Sequence, residues 1–296
     1  MGAVAHSPGT QAEARLTTPG APESDPRKWR LAVFLALLAL TFLLGCFPMG
    51  DFAVWWHLRT GQLILERGEV PRTDWFTYTN ATRTWIDIYW LFQVGLALLY
   101  RIGGASPLVL LKAVFGTAVV ALSLVARRSG GKTWPIVVAW LPAVKRNLEP
   151  ALLVAIAIVV IATASGGLYA WAGEHRPVGF GERKQWFAHD ACAFLASPDL
   201  PERIAAFNIS QAAVCIAHTA SAHKQFMDPR LELNSQETFE RYLDGIHKLW
   251  RGQPDWEVPL GVDYARPDEA PALLIERGVL GRAADVLAED PRWYRV

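Results

Sequence analysis

Apolar residues gather into long blocks in the first half of the chain and thin into short periodic runs in the second. The first block, about Leu31–Met49, approaches the roughly 20 residues needed to cross a bilayer's hydrocarbon core. Further blocks run at about Ile88–Ile102, Pro107–Ala126 and Ala151–Leu168, with a shorter one at Trp134–Val144 that carries Pro135 and Pro142. This pattern predicts an α-helical multi-pass membrane region over residues 28–172. A disordered tail rich in Pro, Gly and Ser precedes it at 1–27, and a soluble domain follows at 173–296. The apolar run begins too late for a cleavable signal peptide. Arg27, Lys28 and Arg30 ahead of the first block favour a cytoplasmic N-terminus. If all five blocks cross, the C-terminal domain emerges outside the cytoplasm; if the short block re-enters, that domain lies inside.

Residues 50–87 then form an outer loop, in which Val54–Arg67 reads as an amphipathic helix followed by a turn at Gly68–Arg72. In the C-terminal domain, Arg203–Ser210 and Ala212–Ala217 read as short strands. Asn234-Ser-Gln-Glu237 resembles a capping box opening a helix to about Trp250, with Phe239, Tyr242, Leu243, Ile246 and Leu249 at helical spacing. Two further helices are expected near Glu269–Arg277 and Arg282–Ala288. Together these make an α/β domain of about 120 residues, large enough for its own core.

Composition agrees with a membrane protein: 52% of the 296 residues are hydrophobic and 13 are tryptophan. The net charge of +1 offers no basic face for nucleic acid. Cys46 lies in the first apolar block. Cys192 and Cys215 share the soluble segment and could pair outside the cytoplasm, although two buried free thiols is the reading preferred here. Ser129-Gly-Gly-Lys-Thr133 has the end of a phosphate-binding loop without its first glycine, since Ala126 occupies that position. No His/Cys cluster has metal-ligand spacing.

The outer loop carries the candidate chemistry. Singly, Asp51 is a helix-end residue, Trp55 and Trp56 are interfacial anchors, His57 is a surface histidine, and Asp74 and Asp87 are turn or cap residues. Taken together, Asp51-Phe-Ala-Val-Trp-Trp-His-Leu-Arg-Thr-Gly61, Val70-Pro-Arg-Thr-Asp74 and Trp85-Ile-Asp87-Ile-Tyr-Trp90 form a longer pattern. It resembles the first outer loop of a family of bacterial multi-pass proteins grouped with the C-type-fold membrane glycosyltransferases. The resemblance extends to Arg230-Leu-Glu-Leu233 and Glu237-Thr-Phe-Glu-Arg-Tyr-Leu243.

That resemblance implies transfer of a sugar from a polyprenyl-phosphate donor to an acceptor on the outer membrane face. Asp51 is then the expected general base, with Asp87 and His57 as supporting polar groups. Trp55, Trp56 and Trp85 would form an aromatic platform, and Arg59 or Arg83 would offset donor phosphate charge. The expected partners are membrane lipid and the lipid-linked sugar, with an oligomer or second subunit left open. No cofactor is certain. A divalent metal is possible but unsupported, because Ala53 stands where the family has a second acid. Asp228-Pro229-Arg230 also replaces a turn that usually holds glycine. A block of spans is missing between Val144 and Lys145, which implies a shortened member. The alternative is a non-enzymatic or inactive membrane protein whose C-terminal domain binds a partner.

Overall fold

The computed structural model describes residues 26–129, 148–173, 178–219, 222–266 and 269–295. It corrects the multi-pass expectation. Among the described residues one helix is both long and apolar enough to cross a membrane, over Ala105–Ala126 within α4 (Ala105–Ser129). The apolar stretches of α1 (Pro26–Gly45), α3 (Trp90–Gly103) and α5 (Leu148–Ala164) are each only 10–17 residues long.

Local breakers explain the shortfall. The first apolar block continues to Met49 in sequence, but α1 stops at Gly45 because Pro48 disfavours helix at Phe47. Beyond it Met49 turns extended, donating its amide to Gly181 O at 2.8 Å. Glycines with left-handed φ end the others, Gly104 at +66° after α3 and Gly166 at +76° after α5. The expected short block Trp134–Val144 lies outside the described residues. The apolar helices still pack together, α1 against α4 and α5, and α3 against α4.

The amphipathic helix expected at 54–67 is α2 (Ala53–Arg67), closed by Gly68 at φ +72°. It buries Trp55, Trp56, Leu58, Leu63 and Ile64 against α3 on one side and the C-terminal region on the other. After the short helix α6 (Gly167–Trp171), the chain builds α7 (His189–Leu195), β1 (Arg203–Ala206), α8 (Ile209–Thr219) and β2 (Lys224–Gln225). It continues through α9 (Gln236–Arg251), α10 (Glu257–Leu260), β3 (Ala272–Leu274) and α11 (Arg277–Glu289).

The three strands form a parallel sheet of order β2-β1-β3. Successive side chains of β1 serve opposite faces. Ile204 joins the core shared with α2 and α8, whereas Ala205 joins the core built by α9, α10 and α11. The sheet therefore lies between two helical layers.

Three local expectations change. Ala212–Ala217 is helical within α8, whose start is capped by Asn208 Oδ1 accepting from Ser210 N at 3.0 Å. The region near 269–277 contains β3 rather than a helix. Cys192 and Cys215 are joined in a disulfide, with Cα atoms 4.6 Å apart, instead of remaining free thiols. The helix expected after Asn234 does form, but its cap lies one residue beyond the expected Asn234–Glu237 box: Ser235 Oγ accepts from Thr238 N at 3.0 Å.

Candidate functional site

The loop between α2 and α3 is held by a buried ion cluster to the segment just after β2. Asp74 folds its own turn, accepting from Phe76 N through Oδ1 and from the Thr77 hydroxyl through Oδ2. From the far side Arg230 Nη2 donates to Asp74 Oδ1 at 2.6 Å, while its Nε and Nη2 engage the Asp228 carboxylate. All three side chains are essentially fully buried. The guanidinium carbon lies 4.6 Å from the Trp85 ring centre and 4.7 Å from that of Phe76, with Trp56 further out at 5.9 Å. Burial works against the charge of Arg230, but Asp228 and Asp74 outweigh it and push its pKa up. Removing one partner from such a group costs roughly 3–5 kcal/mol, because it strands a buried charge.

Beside this cluster stand two of the residues singled out in the loop. Asp87 is 7% exposed; its Oδ1 accepts from Tyr89 N at 3.0 Å and from Gln93 Nε2 at 3.1 Å. Its Oδ2 has no hydrogen-bond partner among the described residues, and neither do Gln93 Oε1 and Arg230 Nη1. The same Gln93 amide lies 3.3 Å from His57 Nδ1, so one side chain ties Asp87 to His57. His57 lies over Trp56 at 3.5 Å between ring centres and meets Tyr89 and Phe92 edge-on.

Electrostatics separate the pair. Burial pushes the Asp87 carboxyl up, with the Tyr89 amide, Gln93 and Arg230 pulling it back. Burial pulls His57 down to about 4, against the charge of Asp51 and with that of Arg230. Near neutrality His57 is therefore an uncharged ring, and Asp87 is a carboxyl whose ionised form its surroundings disfavour.

Gly61 makes this arrangement possible. A Cβ there would lie 2.0 Å from Gln93 O and 2.4 Å from Gln93 C, so only glycine lets the α3 backbone approach this closely. Gln93 was not among the residues expected from sequence. Its signal was a lone amide within the apolar run of α3, and the structure shows it 0% exposed.

The remaining loop residues disperse. Asp51 is exposed, one residue ahead of Phe52 at the N-cap of α2, and its Oδ1 accepts from Ala53 N at 2.9 Å. Trp55 packs against Phe187, His189 and Tyr100. Trp56 and Trp85 belong to the wall around Arg230. Arg59 pairs with Gln62 and Glu66 along α2, and Arg83 is exposed.

An open hollow of about 450 Å³ lies elsewhere, at the carboxyl ends of β1 and β3, lined by Phe52, Trp186, Phe187, Asn208, Gln211 and Glu276. Asn208 Nδ2 donates to Glu276 Oε2 at 2.6 Å across it. Neither Asp87 nor His57 lines it. Family models, curated proteins and solved structures all lack a match to this chain.

Proposed function

We propose that this protein transfers a glycosyl group from a polyprenyl-phosphate donor at a membrane surface, with Asp87 as the proton acceptor. The observation that carries the reading is the unpartnered Oδ2 of a buried Asp87, oriented through Oδ1 by Gln93 and the Tyr89 amide. As the acceptor hydroxyl oxygen bonds to the anomeric carbon, its proton passes to Oδ2 and the lipid phosphate leaves with the bonding electrons. A carboxyl with a raised pKa suits that exchange near neutrality. Membrane contact is supported by the exposed apolar residues flanking the site, Ile86, Ile88, Tyr89, Trp90, Leu91 and Phe92, which run directly into α3. The disulfide fits an oxidising, extracytoplasmic setting for the C-terminal domain.

The test is transfer of a radiolabelled sugar from polyprenyl phosphate by the full chain in lipid vesicles. Asp87→Asn lowers the rate by about 10²–10⁴-fold, whereas Asp51→Asn, which keeps an oxygen to accept from Ala53 N, leaves it unchanged. Full transfer by Asp87→Asn would remove this role.

A second reading is a non-enzymatic protein whose C-terminal domain binds a partner. It is favoured by the hollow at the carboxyl ends of the parallel strands, the usual ligand position in such sheets, lying apart from Asp87. On that reading wild-type protein transfers no sugar, and substitution at Trp186 or Glu276 weakens partner binding.

A further inference from the structure

We propose that His189 and His218 form a binding site for a borderline first-row divalent ion such as Zn²⁺. The two residues are 29 positions apart in sequence, yet His189 Nδ1 lies 2.8 Å from His218 Nε2. Their positions follow from a symmetry in the chain. His189-Asp-Ala-Cys192 starts α7 and Cys215-Ile-Ala-His218 lies in the last turn of α8, so each histidine sits one helical turn from a cysteine. The Cys192–Cys215 disulfide clamps the two helices together, and the imidazoles meet as a consequence.

The surroundings of His189 are those of a metal ligand rather than a loose surface ring. Its Nε2 lies 3.5 Å from Glu182 Oε2, on the ring edge away from His218. That Nε2 is buried without a hydrogen bond, and a carboxylate this close favours the tautomer with the proton on Nε2, which leaves the Nδ1 lone pair facing His218. The ring stands edge-on to Trp55, with centres 4.6 Å apart, and packs on Phe187, so its position is set by the core. His218 is exposed and gives the ion a route in.

Two facing imidazole nitrogens at this separation need either a proton or a cation between them. An ion bound at about 2.0–2.1 Å from each nitrogen would hold them roughly 3.3 Å apart, a small opening of the present contact. Imidazole selects zinc, copper or nickel over calcium or magnesium. No third protein ligand is assembled among the described residues, so water completes the coordination.

The experiment titrates tag-free full-length protein, disulfide intact, with Zn²⁺ against a chromophoric chelator. Wild type takes up one equivalent, His218→Ala binds at least tenfold more weakly, and Glu182→Ala binds about tenfold more weakly. Asp87→Asn and His247→Ala bind as wild type, which separates this site from the proposed catalytic one and from surface histidines. His218→Gln serves as the second variant should His218→Ala fail to fold. Zinc binding that is equal in wild type and the folded His218 variants, or absent from wild type, overturns the proposal.

Discussion

Two acids in one loop have opposite fates. Asp51 completes the first turn of α2 in solvent, while Asp87, 36 residues later, is enclosed and keeps one oxygen free of partners. Burial sets the protonation of the second acid and of its neighbour His57, and the histidine has a measurable consequence. Its folded pKa of about 4 lies below the ordinary 6.5, so between these values the unfolded chain binds a proton that the native chain does not. Stability from this residue is complete above about pH 6.5 and is lost as pH falls toward 4. Because the ring is partly solvated, the loss is on the order of 1–2 kcal/mol rather than the full shift. Denaturant unfolding of wild type and His57→Asn at pH 7 and pH 4.5 checks this. Wild type loses more stability than the variant on acidification, and equal losses contradict the assignment.

At the scale of elements, the meeting of α2 and α3 depends on Gly61. Adding one methyl group as Gly61→Ala drives the Cβ into the Gln93 carbonyl, and no side-chain rotation can relieve a clash with backbone. The helices must separate, at a cost of about 1–3 kcal/mol or more, and Gln93 moves off both Asp87 and His57. Thermal unfolding reads the first effect, and a His57 pKa returning toward 6.5 by NMR reads the second. These contacts also show what sequence could and could not convey. α2 was legible because its apolar positions repeat with a helical period and Gly68 closes it, and α9 because Phe239, Tyr242, Leu243, Ile246 and Leu249 keep the same period. α8 was misread because Ala212–Ile216 is buried throughout, and a short, wholly apolar run has no period to distinguish helix from strand. Asp87 and His57 were visible as polar residues in an aromatic loop. Their link through Gln93 was not, since it requires knowing that α3 folds back on α2 at Gly61.

For the whole molecule, the same long-range contacts constrain how the chain can sit at a membrane. The loop preceding α4 and the sheet following it share one buried interior. Arg230 pairs with Asp74, Tyr78 N donates to Gln225 O, and Asn80 Nδ2 donates to Asn234 Oδ1. The apolar blocks suggested a string of crossings because length and hydropathy are local properties. Whether two polar segments share a compartment is decided by contacts more than 140 residues apart in sequence, such as the 156-residue separation of Asp74 and Arg230. Both segments must therefore lie on one side of any bilayer that the apolar helices touch. A lone crossing by α4 would pull apart a desolvated ion cluster, at a cost of roughly 3–5 kcal/mol for each buried charge left unpaired, a large share of the stability of an ordinary domain. In a Cys46→Ser background, single cysteines at the exposed positions Glu69 and His247 should react alike with an impermeant maleimide in sealed vesicles. Both label in one vesicle orientation and both are protected in the other. Labelling of only one of the two would mean that the Asp74–Arg230 interior does not form in the membrane-bound protein.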